Sequence, residues 1–362
     1  MTSGEKSALI AMSGGVDSSV AAYLMKEQGY SCMGVTMRLY RNVDIGLSEY
    51  RTCCSERDIE DAAEAAFQLD IPHEVLDLTK EFGEQIIGKF IRTYEAGGVP
   101  NPCIDCNRHM KFDRLFDYAA KRGIRYVATG HYARVEYDSA SGRWLLQKAA
   151  DPKKDQSYVL YMLTQEQLSR LRLPLGETVK EETRAIAERL GLLNARKRDS
   201  QDICFVPDGD YAAFMERVTG KTYPDGRILD GSGRVLGVHH GAVRYTRGQR
   251  RGLCVSSQAP LYVTGKDMEK NEVYVGPESA LYSDTLFAEE VSWVSGGAPS
   301  GPVRVEACTR YRQEPRPATA YPDGRDRMKL VFDGPQRAVT RGQAVVMYDG
   351  DTVVGGGTIT EI

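Results

Sequence analysis

The sequence holds no uninterrupted apolar run long enough to cross a bilayer. Its opening, MTSGEKSALIAMSGG, carries too short an apolar stretch to act as an export signal. On those absences the expectation is a soluble, cytoplasmic protein, neither membrane-spanning nor exported, with no membrane partner. Cysteine is scarce: eight in 362 residues cannot staple a chain of this size, so the expectation is reduced thiols, with paired cysteines serving metal or sulfur chemistry. A basic excess is missing too. The formal net charge is -3 and the isoelectric point about 6.1, which excludes a protein that coats nucleic acid through a uniformly basic surface. There is no internal repeat or low-complexity tract.

What is present is length and alternation. The chain exceeds the roughly 100 to 200 residues of one typical domain, so it predicts two or three domains with a sizeable core. Through the first 200 residues strand-like and helix-like segments alternate, the pattern of a parallel sheet covered by helices. Ser7 to Met12 reads as a strand, Ser18 to Gln28 as a helix stopped by Gly29, Tyr30 to Met37 as a strand and Glu56 to Leu69 as a helix. His73 to Leu78 reads as a strand and Thr79 to Ala96 as a longer helix. After a Gly-Pro break at residues 97–102, Asn107 to Arg122 reads as a helix and Tyr126 to Thr129 as a strand ending in Gly130-His131-Tyr132, where catalytic groups commonly sit. Past Cys204 the texture changes. One short helix, Tyr211 to Val218, precedes turn-rich basic sequence, and from Tyr262 onward short β-rich runs recur between Gly, Asp and Pro turns, with Asp349-Gly350 fitting a hairpin. The reading is an α/β nucleotide-binding domain over residues 1–205, a small connecting domain over 206–275, and an antiparallel β-barrel over 276–362.

Two local basic runs stand out against the acidic background, Arg244 to Arg251 (RYTRGQRR) and Arg310 to Arg316 (RYRQEPR). Their interleaved aromatic and guanidinium groups suit RNA bases and phosphates; a solvated charged surface is the plainer reading of each.

The first strand meets the first helix at Ser13-Gly14-Gly15-Val16-Asp17-Ser18-Ser19. Glycines let backbone N–H groups approach an anion, serine hydroxyls add donors, and the helix N-terminus favours negative charge, so this loop predicts a phosphate site. It has neither the Gly-Lys-Ser/Thr ending of a Walker loop nor G-x-G-x-x-G, which excludes those two nucleotide-binding classes. It resembles the pyrophosphate loop of the ATP pyrophosphatases, which split ATP to AMP and pyrophosphate to adenylate an oxygen.

Two segments narrow that resemblance: Pro100-Asn101-Pro102-Cys103-Ile104-Asp105-Cys106-Asn107 and Asp199-Ser200-Gln201-Asp202-Ile203-Cys204-Phe205. Together with Gly130-His131-Tyr132, Lys154-Asp155-Gln156-Ser157-Tyr158, Thr246-Arg247-Gly248-Gln249-Arg250 and Arg310-Tyr311-Arg312, they resemble the bacterial-type tRNA-specific 2-thiouridylase family over nearly the whole chain. The resemblance implies ATP-dependent adenylation of the C2 oxygen of a wobble uridine in tRNA for Lys, Glu and Gln, then sulfur transfer to give 2-thiouridine. It implies that Cys204 carries a persulfide and Cys106 is the second thiol, leaving a disulfide between them. Cys106, at the start of the expected helix, would gain thiolate character from the helix dipole. By position, Ala11, Met12, Ser13, Gly14, Gly15, Val16, Asp17, Ser18, Met37 and Gly130 match the ATP site, with Asp17 helping to organise a magnesium ion. Asn101, Pro102 and Cys103 match the place that meets the target base. His131, Lys154, Asp155, Gln156, Arg310, Tyr311 and Gln343 match tRNA contacts. The implied partners are a tRNA anticodon loop, whose base must leave its stack to react, and a sulfur donor such as a cysteine desulfurase or relay protein.

The chain departs from the family at Cys103, where many members have Asp, with an aspartate instead at Asp105. Cys103, Cys106 and Cys204 could then supply three ligands to an iron–sulfur cluster, and Cys53-Cys54 add further thiols. Another adenylating enzyme of the superfamily, or an RNA-binding or iron–sulfur carrier protein, are the competing readings.

Overall fold

The computed structural model describes residues 6–45, 56–197 and 202–362, and its organising element is a parallel sheet. Its strands β1 (Ser7–Ala11), β2 (Ser31–Arg38), β3 (His73–Asp77), β4 (Tyr126–Ala128) and β7 (Leu171–Arg172) lie in the order β3-β2-β1-β4-β7. All of their pairings are parallel. Ala8, Leu9 and Ile10 of β1 are fully buried, because a central parallel strand is covered on both faces and its sequence is accordingly a continuous apolar run. The covering helices are α1 (Val16–Glu27), α2 (Glu56–Gln68), α3 (Thr79–Phe82), α4 (Gly88–Glu95), α5 (Pro102–Asp105), α6 (Arg114–Lys121), α7 (Gln165–Arg170) and α8 (Lys180–Arg189). Wider π-type turns, Gly83–Ile87 and Cys106–Asp113, join α3 to α4 and α5 to α6.

The helix expected from Asn107 therefore begins at Pro102. Proline suits the first helical position, where no N–H is needed and its φ is already helical. This corrects the expected place of Cys106, which lies a turn inside the helix and not at its start.

The middle of the chain forms α9 (Tyr211–Thr219) and a four-stranded sheet, β10-β11-β8-β9, from β8 (Asp225–Leu229), β9 (Val235–His240), β10 (Tyr262–Asp267) and β11 (Glu272–Gly276). The run from Tyr262 to Gly276 belongs to this sheet and not to the C-terminal one. The last region closes into an antiparallel barrel, β12-β15-β14-β13-β16-β17, sealed by pairing of β12 with β17. Its strands are β12 (Tyr282–Trp293), β13 (Val303–Cys308), β14 (Arg316–Asp323), β15 (Arg327–Arg337), β16 (Ala344–Asp349) and β17 (Thr352–Glu361). Closure leaves no free edge within the barrel. A hairpin of the first region, β5 (Arg134–Asp138) and β6 (Arg143–Gln147), joins it through Thr352 opposite Gln147.

The three regions share apolar cores. One cluster combines Leu9, Phe112, Leu146 and Tyr161 with Cys308, Val346 and Tyr348 of the barrel; another combines Phe82, Phe90 and Met110 with Phe214 and Val243 of the middle region.

All three meet at residues 97–100, just before Asn101. Gly97, at φ +84, has room for no Cβ without crowding Met268, whose Cγ would lie 3.1 Å away. The Val99 N–H donates to the Arg341 carbonyl at 2.8 Å, and Gln343 Nε2 donates to the Val99 carbonyl at 2.9 Å and that of Pro100 at 3.3 Å.

Candidate functional site

The loop expected to hold phosphate lies between the end of β1 and α1. Gly14 has φ +72, and a Cβ there would lie 2.1 Å from the Asp58 carbonyl oxygen, so only glycine fits. Ser18 Oγ donates to the Gly15 carbonyl at 2.9 Å and accepts from the Ser13 N–H at 3.1 Å, which folds the loop over the helix start. The N–H groups of Gly15, Val16, Asp17 and Ser18 meet no acceptor among the described residues, leaving orphan donors at the positive end of a helix for an anion to satisfy. Gly130, just past β4, closes one side: a Cβ on it would lie 2.8 Å from Asp17 C and Ser18 N. Met12 is buried below the loop and Met37 on β2 packs between two core clusters. Ala11 ends the strand. The structure thus brings the predicted nucleotide residues to one sheet end.

Around the loop are groups the motif did not announce. Lys180, at the start of α8, places Nζ 2.6 and 2.7 Å from the two oxygens of Asp17, and Tyr132 donates to the same carboxylate at 2.9 Å. Asn194 and Lys197, on the stretch after α8, both reach the Gly14 carbonyl. Lys197 Nζ also contacts Asp58 and Asp61, each at 2.5 Å. Burial pushes the Lys197 ammonium down, but the two carboxylates outweigh it and the net direction is upward. In the sequence these residues look like an ordinary amphipathic surface; an unusual spacing of lysines would not have revealed them.

The loop fits a nucleotide phosphate. It does not fit direct magnesium binding by Asp17, whose oxygens are both held by the Lys180 ammonium. Nor, among the described residues, do three His, Cys, Asp or Glu side chains stand together as a metal site. Cys53, Cys54 and the segment Asp199 to Gln201 lie outside the described residues.

The two candidate sulfur carriers border one apolar cluster. Cys106 is 8 % exposed within it and Cys204 packs partly buried against it, beside Phe205. Tyr40, past the end of β2, donates its hydroxyl to the Cys204 carbonyl at 2.8 Å. Cys103, in the first turn of α5, is exposed. Asn101 occupies the N-cap position of that turn with no side-chain capping bond, and Pro102 is buried. Asp105 accepts from Lys89 at 2.9 Å, and Lys89 also meets Glu290 of β12 at 3.3 Å. Burial pushes the Glu290 carboxyl up, yet Lys89 and its neighbours hold it below the usual carboxylate range. This ion-pair chain braces the cysteine helix against the barrel.

The expected tRNA residues divide. His131 is buried, hydrogen-bonded through Nδ1 to Thr129 Oγ1 at 2.8 Å, and burial holds its imidazole well below the usual range. Asp155 accepts from Ala149 N at 2.9 Å and Ser157 Oγ at 2.7 Å, while Gln156 Oε1 accepts from Tyr132 N at 3.0 Å. Tyr311 crosses from the barrel to donate to the Asp155 carbonyl at 3.1 Å, beside the half-exposed Lys154. Arg310 donates to the Ala338 carbonyl at 2.5 Å. Gln343 holds the Val99-Pro100 loop as described above. Several of these polar side chains therefore hold backbone of neighbouring segments in place.

The two basic runs also divide. Arg244 pairs with Asp210 and Glu216, and Arg247 holds the carbonyls of Thr264 and Ala280. Arg250, Arg251 and Arg312 are exposed.

Comparison with known proteins adds three domain matches: a tRNA methyl transferase HUP domain at residues 6–208, a tRNA methyl transferase PRC-barrel domain at 212–277, and an aminomethyltransferase beta-barrel domain at 283–359. The chain is 46% identical over 354 residues to a tRNA-specific 2-thiouridylase MnmA of Clostridioides difficile, covering 98% of both chains. It is 48% identical over 359 residues to one of Geotalea uraniireducens, covering 98% of this chain and 95% of that one, and 47% identical over 352 residues to one of Caldanaerobacter subterraneus, covering 97% of each.

Proposed function

The chain belongs to the tRNA-specific 2-thiouridylase family, and on that premise we propose how its residues carry out ATP-dependent thiolation of a tRNA uridine. The observation that carries the reading is the pairing of a phosphate loop with orphan helix N–H donors and two cysteines bordering one apolar cluster near the same sheet end.

ATP lies with its phosphates on the loop from Ala11 to Ser18, against Gly130 and Met37. The uracil C2 oxygen attacks the α-phosphorus, pyrophosphate leaves, and the oxygen now bears AMP, a far better leaving group than oxide. The terminal sulfur of a Cys204 persulfide attacks C2, and AMP departs with the C–O electron pair. Cys106 thiolate then attacks Cys204 Sγ, breaking the persulfide S–S bond and releasing the C2 thiocarbonyl. The enzyme is left with a Cys106–Cys204 disulfide, which an external thiol must reduce before the next turnover. Sulfur arrives from a cysteine desulfurase or relay protein. The apolar cluster limits water near the adenylated base, and Asn101, Pro102 and Cys103 line its approach. Arg250, Arg251 and Arg312 offer exposed cations to the RNA backbone, beside the wall formed by His131, Lys154, Asp155, Gln156, Arg310, Tyr311 and Gln343. The three regions, with boundaries near 205 and 275, divide chemistry from RNA holding. The working compartment is the cytoplasm.

Single-turnover transfer of labelled sulfur to unmodified tRNA tests this, alongside pyrophosphate release. Cys106→Ala and Cys204→Ala should each abolish transfer while pyrophosphate release continues, and Cys103→Ala should retain transfer in iron-free protein. Loss of transfer in Cys103→Ala, with wild-type activity tracking bound iron, would replace the persulfide route by the iron–sulfur one.

A further inference from the structure

Helix N-termini often bind anions without help, yet this loop is held from behind. The Gly14 carbonyl accepts from Asn194 Nδ2 at 3.2 Å and from Lys197 Nζ at 3.1 Å. In a planar trans peptide unit the C=O and the next N–H point in opposite directions. Drawing the Gly14 oxygen toward the stretch after α8 therefore turns the Gly15 N–H the other way, toward the open end of α1. We propose that Asn194 and Lys197 are positioning residues of the phosphate loop, which aim the Gly15 N–H at the pyrophosphate portion of ATP by fixing the Gly14–Gly15 peptide plane.

The clamp is specific in its construction. Lys197 Nζ has three protons, and Asp58, Asp61 and the Gly14 carbonyl supply three acceptors. Their opposed charges hold the ammonium in one place. Asn194 is buried, and its Nδ2 serves Gly14 and Ser19 Oγ, at 2.9 Å, while its Oδ1 has no partner among the described residues. A side chain that leaves a buried acceptor unmet in order to hold two loop groups is placed for the loop and not for its own solvation. The Asp58 backbone also packs against Gly14. Flipping the peptide plane would forfeit both donors at once, so the donor array is set before a nucleotide arrives. Such preorganisation avoids reorientation of dipoles during the reaction.

The inference rests on ATP occupying this loop, and one experiment separates the two. Calorimetric titration of full-length protein with ATP, inorganic pyrophosphate and adenosine compares wild type with Asn194→Ala, Lys197→Met, Lys197→Arg and the double variant Asn194→Ala/Lys197→Met. Each single neutral variant should weaken ATP and pyrophosphate by about tenfold, as expected for a lost hydrogen bond to a charged ligand. The double variant should lose more, Lys197→Arg should recover part, and adenosine affinity should stay level. Unchanged ATP and pyrophosphate affinity in a folded Asn194→Ala protein, or parallel loss of adenosine, overturns the positioning role alone. Failure of wild type to bind ATP or pyrophosphate overturns the nucleotide assignment and this inference with it.

Discussion

Lys266, on β10, carries its ammonium into the seam beside Gly97, where it has no hydrogen-bond acceptor among the described residues. Burial pulls it down to about 8. Because the folded chain releases this proton more readily than the unfolded one, stability from this group is lost as pH falls from the ordinary lysine value near 10.4 toward 8. Lys266→Met should therefore raise the unfolding free energy at pH 7.5 by up to about 3 kcal/mol, read as a higher urea midpoint, with the gain shrinking toward pH 10.5. An unchanged midpoint would show that the ammonium finds a partner in solution. Histidine acts in the acidic range. Burial lowers His131, His73 and His239 alike, so the unfolded state takes up their protons first and stability falls as pH drops below about 6.5. Urea melts from pH 7 to 5 should show this decline, and His131→Gln should flatten it.

At the scale of elements, the helical stretch from Pro102 to Lys121 shows where sequence signals run short. The break at residues 97–102 was legible as Gly and Pro, and so was a helix beyond it. The sequence puts its start too late because Pro102 at a first helical position and Pro102 as a breaker look the same there; only the path of the preceding loop distinguishes them. That loop is set by Gln343. Gln343→Leu removes two hydrogen bonds, to Val99 and Pro100, and should cost about 1–2 kcal/mol in urea unfolding. Sulfur transfer should slow more than tRNA affinity weakens, since the residue supports the loop that leads into Asn101. A loss confined to tRNA affinity in filter binding would make it a direct contact instead.

Taken whole, the barrel and the middle sheet each have a core of their own, but shared clusters tie both to the first region. Cys308, Val346, Tyr348 and Val353 of the barrel complete the cluster that holds Leu9, Phe112 and Tyr161. Deleting residues 277–362 would expose that face, so the truncated chain should aggregate or bind a hydrophobic dye, whereas the full chain should give one cooperative calorimetric transition. Separate transitions would show that the cores are energetically independent.

The alternation of strands and helices, the glycine-serine loop and the two cysteine segments are legible in the chain alone, because each depends on local chemistry: apolar runs, glycines at tight turns, thiols in recognisable neighbourhoods. Only the tertiary structure decided what stands behind them. Lys180 on Asp17, Lys197 and Asn194 on Gly14, and Gln343 on Val99 are contacts between residues separated by more than 160 positions. The middle sheet was hidden for a related reason: β8 pairs with β11 across a long intervening stretch, and short strands reveal themselves only when a partner supplies the other half of the hydrogen bonds. Burial of His131 and the pairing of Arg244 likewise follow from what packs beside them, which residue type and spacing do not encode.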